Sequence, residues 1–160
     1  MKGIVEKISM YPEKGASGIE LAEAQLIAGL GVEGDFYSKG GDRQVSILLA
    51  ESRERMTAME EEGLCFSRFR ENLTIGYETQ IHHTKARRHE GRNLVFMPGD
   101  CLNIGETVLE ISSDRKRCFE ECDLFKAGKF CPLAGMYLFA KVIKGGIIHR
   151  GDTVLYNAAA

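Results

Sequence analysis

The chain has 160 residues, of which 44% are hydrophobic and 28% are charged, a composition typical of a single folded domain and not of a disordered segment. Its net charge of −2 excludes a strong overall attraction for nucleic acid or for an acidic membrane. No apolar run approaches the roughly 20 residues that a membrane-spanning helix needs, and the N-terminus has no apolar signal core, so we expect a cytoplasmic protein.

Short apolar segments separated by glycine-containing turns predict a mostly β domain that occupies residues 1–160. The alternation in residues 19–27 would also permit a helix, but Gly29 and Gly31 end this segment within the length of a strand, so we favour a strand. The glycine-rich residues 29–42 are predicted to be a loop, either a mobile connection or a functional one. The predicted strands cover residues 4–8, 19–27, 44–49, 73–75, 94–104, 107–112, 136–143, 147–149 and 153–156.

One helix is predicted at residues 51–62, where the chain is highly charged and free of glycine and proline. Glu51 and Arg55 have the spacing of an i, i+4 ion pair, and most of the remaining charge is expected to form a solvated face. Gly63 stands where a C-terminal cap is expected.

Two polar segments have more than one interpretation. In residues 67–75, arginines flank Phe69 before a short strand, which is typical of a surface strand with salt bridges. Residues 78–93 hold three of the four histidines and several cations, which favours an exposed basic loop or hairpin tip over a metal site, because Glu90 is the only acid at ligand spacing. A rim that attracts phosphate is an intermediate interpretation.

The strands after residue 94 form a series of hairpins, and there are enough of them for the sheet to close on itself. Closure removes the exposed sheet edges that otherwise promote aggregation. We therefore predict a closed or partly open β-barrel with one or two peripheral helices.

The most distinctive segment contains three of the five cysteines, and Cys118 is its leading candidate for a reactive group. A thiol reacts as the thiolate, and neighbouring cations stabilise that form. Three cations immediately precede Cys118, namely Arg115, Lys116 and Arg117. The alternative is that the cysteines are structural and line a crowded loop.

Metal binding and disulfide formation are further alternatives for Cys118, Cys122 and Cys131. A structural zinc site usually has two closely spaced pairs of ligands, and the second pair is missing here. Cys101 or His149 would have to supply the fourth ligand through folding. Thiolate sulfur also suits a soft metal or the carriage of sulfur, and a labile disulfide between two of the three would be compatible with the spacing.

Several cations are separated in the chain but can meet at one mouth of a barrel, where the planar guanidinium group of arginine matches a phosphate. The sequence contains no Walker loop, no dinucleotide-binding fingerprint and no nucleophile elbow, so a standard nucleotide enzyme or α/β-hydrolase is excluded. The cations are Arg43, Arg68, Arg70, Arg115, Lys116 and Arg117.

Taken in order, these segments resemble the MOSC domain, the family named after the C-terminal domain of molybdenum cofactor sulfurases, and in particular its short stand-alone branch. The resemblance covers most of residues 1–156. It is carried by residues 31–35, 43–48 with Glu51, 68–74, 98–100 with 104–105, 116–118 with Cys122 and Cys131, 145–146 and 151–152.

The resemblance implies a β-barrel whose central cysteine, here Cys118, accepts sulfur as a persulfide or ligates molybdenum, with Cys122 and Cys131 as resolving or supporting thiols. It also implies that molybdopterin is the cofactor. Full sulfurases add a desulfurase domain that binds pyridoxal phosphate, for which this chain has no room. A separate cysteine desulfurase would then donate sulfur, and a molybdoenzyme or a cofactor-synthesis protein would accept it. The residues implied for binding the cofactor phosphate are Arg43, Arg68, Arg70, Asn72, Arg115, Lys116 and Arg117.

The chain departs from the family in two places. Tyr37 and Asp42 stand where family members often have histidine, and residues 78–93 resemble an insertion. From the resemblance, the first functional hypothesis is a sulfurtransferase-like carrier or a domain that handles the cofactor. The rival hypothesis is a non-catalytic module that binds a pterin or another anion and whose cysteines are structural.

Overall fold

The computed structural model describes residues 2–60, 62–77, 87–89, 92–94, 96–113, 118–129, 131, 133 and 137–160, with residues 87–89 and 92–94 described as backbone. Most of the assigned secondary structure in this part of the chain is strand, with two helices. The strands are β1 (Lys2–Met10), β2 (Ile19–Leu21), β3 (Glu23–Ile27), β4 (Gly31–Val32), β5 (Val45–Leu49), β6 (Leu73–Tyr77), β7 (Arg87–His89), β8 (Arg92–Leu94), β9 (Cys101–Ile104), β10 (Thr107–Ser113), β11 (Tyr137–Lys144), β12 (Gly146–His149) and β13 (Thr153–Asn157). The helices are α1 (Ala50–Ala58) and α2 (Asp123–Lys126).

Seven strands close into a barrel in the order β13, β9, β10, β11, β5, β6, β1, and β1 returns to β13. The pairing of Gly3 with Val154 completes the ring, and β2 extends the sheet beyond the end of β1. Only β5 and β6 run parallel among the barrel pairs, with Ile47 beside Leu73. The predicted fold class, a mostly β closed barrel with peripheral helices, is confirmed.

The hydrophobic core fills the inside of the barrel because alternate residues of each strand face inward. In β5, Val45, Ile47 and Leu49 belong to this core, whereas Leu48 belongs to a second apolar cluster outside it. Burying one large aliphatic side chain stabilises a fold by about 1.5–3 kcal/mol, so the interior residues supply the main favourable contribution. The outward residues of β5 are therefore available to build a site.

The predicted strand at residues 19–27 is interrupted at Ala22. The carbonyl of Ala22 accepts a hydrogen bond from Arg150 N at 2.8 Å, and the strands on either side pair with different partners. β2 extends the barrel sheet, whereas β3 joins a separate sheet in the order β12, β3, β4. Leu21 is the half-buried residue of β2, whereas Ala24 and Leu26 are the buried residues of β3, so the inward-facing positions change parity at the break. Tertiary pairing decides where the chain changes sheets.

The predicted helix at residues 51–62 is shorter in the structure, and the prediction of Gly63 as its cap is wrong. α1 ends at Ala58 because Met59 is extended, with φ −79° and ψ 136°. Gly63 is instead buried, and a Cβ atom there would lie 2.6 Å from the Phe66 ring, so close packing requires glycine. The ion pair between Glu51 and Arg55 is confirmed at 2.5 Å.

Two segments that were predicted as loops contain strands. Within residues 29–42, β4 pairs with β3, and Phe36 N donates to Tyr11 O at 2.7 Å, so this segment is attached to the barrel. Within residues 78–93, β7 and β8 form an antiparallel hairpin, in agreement with the hairpin interpretation, while residues 78–86, 90 and 91 lie outside the described residues. None of the helices in the described part of the chain is long and apolar enough to span a bilayer.

Candidate functional site

The parallel pairing of β5 and β6 brings the segments that precede both strands to one end of the barrel. Arg43 precedes β5, and Arg68 and Arg70 precede β6. The two segments are in direct contact, because Ser46 Oγ donates a hydrogen bond to Arg70 O at 2.7 Å. Arg43 and Arg68 are exposed, and Arg70 is half-buried. The structure therefore brings Arg43 and Arg70 to the same end of the barrel, as the sequence predicts.

Asn72, which was predicted to bind phosphate, is buried in a network within the protein. Its Oδ1 accepts a hydrogen bond from Ser46 N at 3.1 Å, and its backbone N–H donates to Ser46 Oγ at 3.0 Å. Its Nδ2 donates to Ser9 O at 3.2 Å and to Asp35 Oδ2 at 3.0 Å. A side-chain amide has two donor hydrogens, and the contacts with Ser9 and Asp35 use both of them. Asn72 therefore holds segments together, and its side chain has no donor left for a phosphate.

Asp35, which lies in the loop at residues 29–42, joins that loop to Asn72. Asp35 Oδ2 also accepts a hydrogen bond from Tyr11 N at 2.9 Å, and Oδ1 accepts one from Tyr37 N at 2.9 Å. Asp35 is only 7% exposed, and a buried carboxylate is stable only when such donors compensate its lost hydration. This role explains why an acid stands at this position without being a metal ligand.

Tyr11 and Glu71 are buried beside two arginines. Arg53 Nη2 of α1 lies 2.6 Å from Glu71 Oε1, and Tyr11 Oη donates to Glu71 O at 3.1 Å. The Arg70 guanidinium lies 5.4 Å from the centre of the Tyr11 ring and donates to Ala16 O. Burial and the carboxylate charges of Glu71 and Asp35 raise the pKa of Tyr11 from 10.0 to about 12. The phenol therefore stays protonated and acts as a structural donor.

A row of three aromatic rings lies on the outer side of the barrel beside this end. The ring centres of Phe69 and Tyr137 are 5.4 Å apart, and those of Tyr137 and Phe139 are 5.7 Å apart. The Arg43 guanidinium lies over the Phe139 ring at 4.7 Å, a cation–π contact. Arg43 is thus positioned by packing, while its exposed edge can still donate hydrogen bonds to an anion.

The cysteine segment returns to the same surface. Cys131 and Leu133 contact the apolar cluster that contains Phe69 and Tyr137, and so does Cys65, from the turn after α1. All five cysteines lie among the described residues and are thiols. Cys118 is exposed. An isolated cysteine such as Cys65 is predicted to be a small buried hydrophobic residue, and nothing local in its sequence connects it to a segment more than fifty residues away.

The pKa of the Cys122 thiol is lowered by its surroundings. The backbone N–H groups of Leu64, Phe125 and Leu124 favour its thiolate, although burial and the Asp123 carboxylate oppose them. A lower pKa increases the thiolate fraction at neutral pH.

The proposed fourth zinc ligands lie elsewhere in the barrel. Cys101 begins β9, where burial and the charges of Glu110 and Asp100 raise the pKa of its thiol. His149 lies in β12 with its Nε2 3.1 Å from Glu23 Oε2. Among the described residues, no three histidine, cysteine or acidic side chains come close enough to bind one metal ion. The predicted cations Arg115, Lys116 and Arg117 lie outside the described residues.

The barrel and this surface define a small β-barrel domain that places thiols and arginines on one outer face. The sequence matches the MOSC domain over residues 34–155, which is most of the chain, so the protein belongs to the MOSC domain family. MOSC domains are associated with the biology of the molybdenum cofactor. A comparison with curated proteins finds no match.

Solved structures share the fold at low sequence identity. The YuaD protein from Bacillus subtilis is 14% identical with a TM-score of 0.63, and the match covers 100% of this chain and 98% of that one. YiiM from Escherichia coli is 18% identical with a TM-score of 0.57, covering 100% of this chain and 71% of that one. YiiM from Geobacillus stearothermophilus is 16% identical with a TM-score of 0.58, covering 98% and 75%. At these identities the similarity establishes the fold.

The network around Asn72 predicts a large loss of stability in Asn72→Ala, because Ser46 N and Asp35 would lose a buried partner. We expect the free energy of unfolding in urea to fall by about 2–4 kcal/mol. The matched control is Asn157→Ala at an exposed position in β13, which should change it by no more than about 0.5 kcal/mol. Equal effects of the two substitutions would show that the network is unimportant.

The raised pKa of Tyr11 predicts a loss of stability in alkali. A phenol whose pKa is higher in the folded state than in the unfolded state stabilises the fold below pH 10, and this contribution disappears as the pH rises towards about 12. In Tyr11→Phe, the free energy of unfolding should therefore decrease less steeply above pH 10 than in the unsubstituted protein. Parallel curves from urea titrations across this range would contradict the assignment.

Proposed function

We propose that this MOSC domain handles the molybdenum cofactor and carries sulfur on Cys118. Family membership supports the connection to the cofactor. The observation that supports the sulfur role is that one outer face of the barrel combines thiols with exposed guanidinium groups. Cys118 is exposed at the start of the segment that packs on this face, and Arg43 covers its aromatic row. An accessible thiol in a segment that packs on the same face as an exposed arginine suits transfer of sulfur to a phosphorylated cofactor.

The sulfur transfer itself needs only a thiolate and a donor persulfide. The Cys118 thiolate attacks the terminal sulfur of a persulfide on a cysteine desulfurase, and the donor's sulfur–sulfur bond breaks. Cys118 then carries the persulfide, and the donor cysteine leaves as a thiolate, so no external oxidant or reductant is consumed. The exposure of Cys118 meets the requirement for access by a second protein. A molybdoenzyme or a cofactor-synthesis protein would be the final acceptor.

Some of the residues predicted to bind the phosphate of molybdopterin have N–H groups that can do so. Arg43 and Arg68 are exposed and can donate to phosphate oxygens, whereas Arg70 already donates to Ala16 O and would use its remaining N–H groups. Arg115, Lys116 and Arg117 complete the proposed set because they precede Cys118 in the sequence. Asn72 is not included, because both N–H groups of its side-chain amide already donate to Ser9 O and Asp35 Oδ2.

Molybdenum is thiophilic, so an exposed thiolate at Cys118 also fits the role of a metal ligand. When bound, the cofactor would supply the metal centre that accepts sulfur. The protein would contribute the thiol, the cations that orient the phosphate, and the apolar surface beside them.

The rival proposal is a binding module for a phosphorylated pterin that does not carry sulfur. It is favoured by the half-buried positions of Cys122 and Cys131, which are compatible with structural roles. The two proposals share the arginines and differ at Cys118.

The carrier proposal predicts that Cys118 gains one sulfur atom when the reduced protein is incubated with a cysteine desulfurase and cysteine. Intact-mass spectrometry and peptide mapping should locate the added sulfur on Cys118. Cys118→Ser should show no gain in mass. The control variant Cys101→Ser, which changes a thiol in β9, should gain sulfur normally. A gain that persists in Cys118→Ser would overturn the role of this thiol, and no gain in the unsubstituted protein would favour the binding module.

Both proposals predict that Arg43 contributes to anion binding. Arg43→Gln should weaken the binding of a hydroxymethylpterin monophosphate about tenfold or more in calorimetric titrations, because a charge-assisted hydrogen bond is lost. Arg150→Gln is the matched control, since Arg150 is exposed but pairs with Glu20 on another part of the surface. Equal weakening by both substitutions would indicate a nonspecific charge effect and reject the Arg43 site.

A further inference from the structure

Three aromatic side chains from two segments meet at the end of the barrel where β1 ends and β5 and β6 begin. Tyr11 directly follows β1, and Phe36 and Tyr37 lie in the loop at residues 29–42. The ring centres of Tyr11 and Tyr37 are 6.2 Å apart with the ring planes at 72°, and those of Phe36 and Tyr37 are 5.2 Å apart at 84°. Tyr37 therefore makes edge-to-face contacts with both neighbours. We refer to these three residues as the Tyr37 cluster.

Tyr37 is the exposed member of the cluster, and the fold nevertheless holds it in place. It is 41% exposed, whereas Tyr11 is 7% exposed. Tyr37 N donates a hydrogen bond to Asp35 Oδ1 at 2.9 Å, and Tyr37 Oη accepts one from Gly15 N at 3.2 Å. A ring that is already fixed loses little conformational entropy when a ligand packs on it. Tyr37 is therefore suited to bind a ligand that has a flat apolar face.

Two cations lie against the same cluster. The Arg70 guanidinium is 5.4 Å from the Tyr11 ring centre, and Lys39 Nζ is 3.7 Å from the Phe36 ring centre. Cation–π contacts position both groups without neutralising their charge. An exposed aromatic ring binds a planar heterocycle by stacking, and nearby cations bind a phosphate attached to it. The chemistry of the cluster therefore points to a planar, phosphorylated ligand.

The Tyr37 cluster adjoins the arginines of the candidate phosphate site. Arg70 belongs to both groups of residues. The loop that carries Tyr37 leads directly into Arg43, and Ser38 Oγ donates a hydrogen bond to Gln44 O at 3.0 Å, which folds the loop against the start of β5. A ring bound at Tyr37 would thus lie at the same end of the barrel as a phosphate bound by Arg43.

We propose that the Tyr37 cluster binds the planar ring of a phosphorylated pterin, which stacks on Tyr37 while Arg43 and Arg70 bind the phosphate. The proposal rests on the phosphate-binding part of the proposed function and does not depend on the transfer of sulfur by Cys118. Tyr37 stands where family members often have histidine. A phenol ring offers a larger apolar face than an imidazole, so the ring contact is a feature of this chain.

The test measures the affinity of two ligands, hydroxymethylpterin monophosphate and inorganic phosphate, in calorimetric titrations. Tyr37→Leu should weaken the binding of the pterin monophosphate about tenfold, because stacking of a heterocycle on an aromatic ring is lost. It should change the binding of inorganic phosphate by less than about twofold. Arg43→Gln should weaken both ligands, because both carry the phosphate. The pattern across the two ligands separates recognition of the ring from recognition of the phosphate.

Two variants serve as controls. Tyr37→Phe keeps the ring and removes only the hydroxyl that accepts a hydrogen bond from Gly15 N, so its affinity for the pterin monophosphate should stay within about twofold of the original value. Ile147→Ala removes another exposed apolar side chain, from β12 in the separate sheet, and should leave both affinities unchanged. Circular dichroism identifies any variant that does not fold.

A second measurement does not depend on the folding of Tyr37→Leu. In NMR spectra of the unsubstituted protein with labelled tyrosine rings, the pterin monophosphate should shift the Tyr37 ring signals, because a stacked heterocycle changes their magnetic environment. Inorganic phosphate should shift them much less. The spectrum of Tyr37→Phe, which lacks these signals, assigns them.

The proposal would be overturned by an unchanged affinity of Tyr37→Leu for the pterin monophosphate, by equal weakening of both ligands in that variant, or by Tyr37 ring signals that do not move. Absence of any binding of the pterin monophosphate to the unsubstituted protein would also overturn it. Sulfur transfer is measured separately, as the mass gain on Cys118. If that gain is absent, a loss of pterin binding that is specific to Tyr37→Leu still supports the ring site.

Discussion

The side-chain amide of Asn72 connects three segments of the barrel that are far apart in the chain. It joins Ser9 at the end of β1, Asp35 in the glycine-rich loop and Ser46 in β5. Because an amide both donates and accepts, it can join a backbone carbonyl, a carboxylate and a backbone N–H at once, which an aspartate or a leucine of similar size could not do. The positions of Arg70, Glu71 and the loop all depend on this contact, and so does the shape of the barrel end that carries the candidate site.

The site lies outside the barrel because the interior is already filled with aliphatic side chains. The outward residues of β5 and β11 then support a second apolar cluster, in which three aromatic rings stand in a row. Aromatic faces attract guanidinium groups, so this row also positions Arg43. Thiols and cations thereby share one surface without being neighbours in the sequence, and this combination is the physical basis of the proposed sulfur and phosphate chemistry.

The two halves of the cysteine site have different environments. Cys118 is exposed and follows three cations in the sequence, which suits exchange with another protein. The pKa of the Cys122 thiol is lowered by backbone N–H groups, which increases its thiolate fraction. A single segment can therefore contain an exposed thiol and a half-buried one, while its Leu124 side chain is buried.

The sequence alone determined the barrel class, the family resemblance and the Glu51–Arg55 pair, because alternation, turns and helical spacing are local properties. Tertiary structure decided where residues 19–27 change sheets, why Gly63 packs instead of capping a helix, and that Asn72 is a structural residue. These outcomes depend on which distant segments dock against each other, and local patterns of hydrophobicity and charge carry no information about that choice.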